Sequence, residues 1–338
     1  MIGIIFEHCS ALWGITYNNV SHTLIEIGAM QFFKFVSIAF FIIGGFLINH
    51  KFTENTPAQY LKNRLSNTIA PWTFWLTILI ILDLINIHII ARKHGRLATL
   101  PPFWELLPQE IYHSVFFTSF WFVLNFLICI TVLLIFKRYL YSIWFGVFWG
   151  LVSLSYSLNL YHGWIATEHS LALFGFIVYL WLGVYMNKHY DKIVVFIKEV
   201  SLNKLILLNI VLFLLAVGEA YYRSALGFED WYNTLRVTNI LYSLGMFILM
   251  LKIGKIDWLN SALKPRQTTF GIYLLHMIVF LHIFPELFRR FHVEEAKLDV
   301  FEAIGYSIVR FAIVYGISFL IVKLFMLTRL KVLIGIKS

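Results

Sequence analysis

Residues 69–91 read IAPWTFWLTILIILDLINIHIIA, with one formally charged side chain, Asp83. A helix rises 1.5 Å per residue, so about 20 apolar residues cross the ~30 Å hydrocarbon core of a bilayer. Stretches of the same character recur near 1–17, 29–49, 115–136, 140–160, 169–187, 205–222, 237–253, 268–287 and 303–325. The chain therefore reads as an all-α polytopic membrane protein with about ten transmembrane helices, in one transmembrane domain over 1–338. The connections are short. The longest, 92–114, carries Pro101, Pro102 and Pro108.

Composition agrees. Of 338 residues, 60% are apolar and 13% charged, and the mean hydropathy is +0.78. Soluble domains carry about 25% charged residues, so an ordinary soluble enzyme and a disordered chain are both excluded. The net charge of +9 fits the positive-inside rule, with membrane lipids rather than nucleic acid as surroundings. Counted in alternate connections, sixteen Lys and Arg, from Lys51 to Lys337, face eight on the other side, among them Arg223 and Arg236. This bias predicts that both termini are cytoplasmic. Cys9 and Cys129 lie in apolar runs and make no disulfide framework. The N-terminus has no basic region and its apolar run is interrupted by Glu7, so no cleaved signal peptide is expected.

Ionisable groups at membrane depth cost about 2.5–3.5 kcal/mol each near the centre on insertion scales. Lys34, Glu168, His169, Glu219, His282 and Lys323 lie near predicted helix ends and are expected to snorkel. Asp83 and Arg310 are deeper and are expected to pair with each other or with helix backbone. His8 and His276 both sit about 10–12 Å above the start of crossings that run outward. Matched depth suggests one buried polar site, and the bland alternative is two separate, satisfied histidines. No HExxH or CxxC spacing accompanies them, so no metal is expected. At the entrance of the third crossing, Lys62 and Arg64 stand beside Asn67. An Arg there presents a fork to phosphate or carboxylate, or simply anchors the loop.

Four stretches, in order, resemble the acyltransferase 3 family of membrane O-acyltransferases. They are GIIFEH at 3–8, FFIIGGFLI at 40–48, YLKNRLSNTIAP at 60–71 and TFGIYLLH at 269–276, with Trp121-Phe122 where the family has a WFL motif. The resemblance implies transfer of an acyl group, usually acetyl, from cytoplasmic acyl-CoA to a hydroxyl of a cell-envelope carbohydrate, free or lipid-linked. It places the chain in a bacterial plasma membrane, with acetyl-CoA as donor substrate and no permanently bound cofactor. Carried over by position, His8 is the expected base or acyl-handling residue. Arg64, flanked by Lys62, is expected to hold CoA phosphates or the substrate, and Tyr273 and His276 belong to the late-helix signature. Two departures stand out. The family's Arg eleven residues before the first-helix His has no counterpart here, and the second Arg of its RxxR pair is Asn67. No appended SGNH-type esterase domain is expected.

The residue types suit acyl transfer. A histidine near neutral pH removes the hydroxyl proton, and donors must stabilise the oxyanion. Tyr273, Asn125 and backbone N–H groups are candidates. Cys9 adjoins His8, but helix neighbours point about 100° apart, and a buried Cys is usually inert. The rival readings are a transporter or flippase for a lipid-linked sugar or polysaccharide, and an inactive relative acting as an envelope scaffold.

Overall fold

The computed structural model describes residues 1–338 except Gly14, Thr16, Asn55, His292, Lys337 and Ser338, and the side chains of Phe52, Thr53, Pro57 and Leu65. Lys337, one of the predicted cytoplasmic charges, thus lies outside the described residues. These residues form α-helices, 3-10 turns and two π-helical segments, with no strand among them.

Six helices are long and apolar enough to cross a membrane: Val20–Lys51, Ala58–Lys93, Ile143–His162, Leu202–Ala225, Pro265–Leu287 and Val300–Met326. Two further pairs pass together but are bent, Phe103–Phe116 with Trp121–Ile135 by 70° and Val237–Ile253 with Asp257–Leu263 by 102°, which makes up to eight spans. The first and sixth predicted segments are helical only over α1 (Ile2–His8, 7 residues) and over Ile177–Lys188 (12 residues). Their rises of about 10 and 18 Å fall short of a ~30 Å core. The predicted long loop 92–114 is corrected in part. Residues Phe103–Phe116 are helical with Pro108 inside, and the polar Glu105, Gln109, Glu110 and His113 disguised that helix as a connection.

The chain forms two compact units: 1–60, 125–262 and 293–311 make the first, and 61–124, 263–292 and 312–338 the second. In the first unit, Val36–Glu54 and Ile177–Lys188 touch backbone to backbone. A Cβ on Gly45 would meet the Leu180 carbonyl at 1.9 Å, and one on Gly183 the Ile42 carbonyl at 1.9 Å. Small residues permit this close approach, which drives helix association where lipid removes the hydrophobic incentive.

The first unit is also laced by buried polar groups. Arg236 donates to the Ala216 carbonyl at 2.7 Å and to Gln31 Oε1 at 2.5 Å, and Gln31 donates to Asn239 Oδ1 at 2.8 Å. Arg223 donates to the Leu160 carbonyl at 2.7 Å and lies over the rings of Tyr161 and Phe228. Arg223 and Arg236 are 1% and 0% exposed, so they satisfy buried acceptors and are not the solvent-facing charges that the sequence count took them for.

In the second unit, Trp72 and Trp75 project from one helix. Their indole N–H groups donate to the Phe120 carbonyl at 3.1 Å and the Leu333 carbonyl at 2.8 Å. The two π-helical segments are Leu65–Ile69 and Val279–Ile283. Such segments insert a residue into the helical ladder and recur at functional sites.

Candidate active site

The late-helix signature folds as part of Pro265–Ile278, which starts on a proline whose missing N–H is harmless in a first turn. Its residues 271–278 are all buried. Tyr273 donates its hydroxyl to the Ser119 carbonyl at 2.5 Å, and its ring lies near those of Phe120, Phe122 and Phe270. His276 is fully buried, and its Nδ1 is 2.7 Å from the Tyr273 carbonyl. A carbonyl only accepts, so Nδ1 carries the proton and the neutral ring keeps its lone pair on Nε2. Tyr273 and His276 are thus brought together, one turn apart. The phenol's proton is committed to Ser119, so Tyr273 is not an idle oxyanion donor.

The predicted entrance residues lie in the same unit. Lys62 and Arg64 end the helix Pro57–Arg64, and Asn67 sits in the π-helical segment that follows. Lys62 is exposed, while Arg64 and Asn67 are half-buried. Asp83 pairs with His282, Oδ1 to Nε2 at 3.0 Å, and Glu110 stands 3.8 Å from His113 and accepts from Ser114 at 3.3 Å. Of the two alternatives expected for Asp83 and Arg310, pairing with each other is therefore corrected, whereas a backbone partner holds for Arg310, and His282 does not snorkel. Arg310 instead donates to the Cys9 carbonyl and to Glu295, both at 2.7 Å, in the first unit.

His8 ends α1 in the first unit. Before it, Glu7 binds Lys34, Oε1 to Nζ at 2.5 Å, and Lys34 lies 3.9 Å from the Tyr232 ring centroid. Lys34 is 2% exposed, which overturns the snorkelling expectation. A lysine whose amine is ion-paired and stacked on an aromatic ring has no need of water. Lys34 acts electrostatically on both His8 and His169, and His8 on His169. His8, His169 and Glu7 are half-buried around the buried Lys34, so the four share one partly buried polar neighbourhood. Sequence reading missed His169 and Lys34 as members, although an ionisable group near membrane depth was the signal. In the connection 226–236, burial raises the Asp230 carboxyl above its ordinary value, opposed by the Asn233 hydrogen bond and then by Lys34.

Asn125 is fully buried. Its Oδ1 accepts from Cys129 Sγ at 3.3 Å, and its Nδ2 has no hydrogen-bond partner. A buried amide donor left open is costly, and it is free to meet a developing oxyanion. A cleft of about 450 Å³ in the first unit, lined by Phe46, Met186, Tyr190 and Phe247, holds none of the predicted site residues.

Comparison with known proteins adds the following. A family model described as an acyltransferase domain matches residues 1–326. Two relatives from Staphylococcus aureus, strains MSSA476 and MRSA252, are each named probable poly-beta-1,6-N-acetyl-D-glucosamine export protein. Each is 30% identical over 152 residues, covering 43% of this chain and 39% of the relative. The matched stretch therefore spans well under half of the relatives. No solved structure matches.

Proposed function

From the premise that this chain belongs to the acyltransferase 3 family, we propose that it moves an acyl group, acetyl in the simplest case, from cytoplasmic acyl-CoA to a hydroxyl of a cell-envelope carbohydrate. The observation that carries the reading is the acyltransferase match over residues 1–326. The relatives' name points to a poly-N-acetylglucosamine glycan as the acceptor class.

His8 takes the proton of the acceptor hydroxyl. The oxygen attacks the thioester carbonyl, whose oxygen gains negative charge opposite Asn125 Nδ2. The C–S bond then breaks, and the thiolate leaves and takes up a proton. His276, with its tautomer set by the Tyr273 carbonyl, orients a reacting group through Nε2. Arg64 and Lys62 draw the donor's phosphates to the entrance beside Asn67. The multi-pass helical body holds both substrates at the bilayer, in the plasma membrane of a bacterium.

The second reading, export or flipping of a glycan, is favoured by the relatives' name alone. One experiment separates the two: compare glycan acyl content and surface glycan quantity with and without the chain. Lost acylation with unchanged export supports the transferase. Lost export with unchanged acylation sinks it in favour of the exporter.

A further inference from the structure

Asp83 stands in the middle of an apolar run, with Leu82 and Leu84 on either side. An ionised carboxylate at that depth costs about 2.5–3.5 kcal/mol on insertion scales, so its partners decide what it is for. Two other segments of the second unit supply them. His282 comes from the π-helical segment Val279–Ile283, where the extra residue in the turn re-aims the side chains. Its Nε2 is 3.0 Å from Asp83 Oδ1. That nitrogen is buried, and the contact is not an aligned N–H donation. Glu110 comes from the helix Phe103–Phe116. Its carboxyl is hydrogen-bonded to that of Asp83, while its Oε1 accepts from the Ser114 hydroxyl at 3.3 Å.

Two carboxylates offer only acceptors, so a hydrogen bond between them requires a proton on one. Like charges held this close also oppose double ionisation. Asp83 and Glu110 therefore share one proton and carry one negative charge between them. His282 stands at the Asp83 end of the pair. When the proton passes from the Asp83 oxygen to Nε2, two carboxylates and an imidazolium remain, still one negative charge in all. The imidazolium compensates the second carboxylate, so the transfer creates no new net charge in a low-dielectric interior. At the other end, His113 Nδ1 is 3.8 Å from Glu110 Oε1, and His113 is 62% exposed against 11% for Glu110. Glu105, Gln109 and His113 are all exposed, and their spacing of four puts them on one helix face. A polar stripe of this kind belongs beside water. The titratable groups acting on Glu110 are Asp83 and His113. On the neighbouring segments, His88 Nδ1 meets the Leu84 carbonyl at 2.8 Å, and Glu286 lies exposed 3.6 Å from Arg289.

We propose that His113, Glu110, Asp83 and His282 form a proton-exchange site in the membrane domain. A proton enters from water past His113, is held between the two carboxyls and is handed to His282 Nε2. Chains of carboxyl and imidazole groups inside helix bundles are the usual material of proton paths. The site rests on the membrane reading and on these contacts, not on acyl transfer, so it can fail while the proposed function stands.

Full-length protein in nanodiscs at neutral pH is followed by infrared spectroscopy through transfer into deuterated water. Wild type should show a protonated carboxyl band that exchanges its proton. Asp83→Asn and Glu110→Gln should each remove that band, because either leaves one carboxyl with no second carboxyl to share a proton. His113→Gln should keep the band and slow its exchange about 10²-fold, in the range of a lost proton-transfer group. Glu286→Gln should change neither. With isotope-labelled histidine, the Nε2 resonance that disappears in His282→Gln should show protonated and unprotonated populations in wild type. A single population makes His282 a fixed anchor and overturns the handing-on. A wild-type spectrum without a protonated carboxyl overturns the site. So does a band that survives both carboxyl variants, or one that sodium ions abolish at constant pH, which would mean a bound cation. Should neither carboxyl variant fold, exchange in His113→Gln decides, and a rate equal to wild type overturns the site.

Discussion

The tautomer of His276 follows from a single contact, its Nδ1 on the Tyr273 carbonyl at 2.7 Å, so whatever it does in the reaction it does through Nε2. His8 sits instead with Lys34 and His169. Removing a general base typically costs about 10²–10⁴-fold. His8→Ala should therefore abolish transfer from labelled acetyl-CoA in membranes, normalised to protein present, and His276→Ala should impair it less. Residues serving one step are non-additive, so the double variant should be little worse than His8→Ala. Additive losses would assign the two histidines to separate steps, and a fully active His8→Ala would remove it as base. Of the oxyanion candidates Tyr273, Asn125 and backbone N–H groups, the first two differ in what their donors already meet. Tyr273 donates to Ser119, whereas Asn125 Nδ2 is buried and open. Asn125→Ala should lower kcat about 10²-fold, in the range of a lost oxyanion donor, and Tyr273→Phe should keep kcat near wild type. The opposite ranking in the same assay would return the role to Tyr273. At this scale the candidate residues were legible from type and family position. Their occupancy was not, because a hydroxyl's partner is a geometric fact.

At the scale of elements, α1 shows how a seven-residue helix keeps its place. Glu7 binds Lys34, the Cys9 carbonyl accepts from Arg310, and Ala11 N donates to Ser307 Oγ at 2.8 Å. Breaking a buried ion pair from one side strands the other charge and costs about 3–5 kcal/mol. Lys34→Met should lower the thermal midpoint of the detergent-solubilised protein markedly. Adding Glu7→Leu should recover most of that loss, since a buried pair replaced by apolar groups is often neutral. A double variant no more stable than Lys34→Met would show that the pair contributes nothing beyond each residue's own packing. The element boundaries were partly legible. Long apolar runs such as 205–222 came through as helices, here within Leu202–Ala225, because their identity needs only length and hydropathy. The helix Phe103–Phe116 did not, since its polar residues and prolines imitate a loop until its packing is seen.

At the scale of the whole molecule, the positive-inside rule turns the loop charges into a testable map of orientation. Single cysteines at Ser201 and Asn260 should react with an impermeant thiol reagent only from the cytoplasmic side. Both positions are exposed, and the native Cys9 and Cys129 are buried and should stay silent. The outer label belongs at Ala166 rather than Gly163, because Gly163 holds φ +62, which strains a side chain. Labelling with the sides exchanged would invert the map. What the sequence by itself determined is the solvent and the lineage: bilayer-length apolar runs, the scarcity of charge, and the ordered motifs at 3–8, 40–48, 60–71 and 269–276. These are local properties, readable one window at a time. Only the tertiary structure decided which polar group meets which. Glu7 finds Lys34 across 27 residues, Trp75 finds the Leu333 carbonyl across 258, and Asp83 takes His282 instead of Arg310. Such pairings are set by the rotation and packing of helices about their axes, which hydropathy does not encode, and the buried polar groups then accept whichever partner that packing brings within hydrogen-bonding distance.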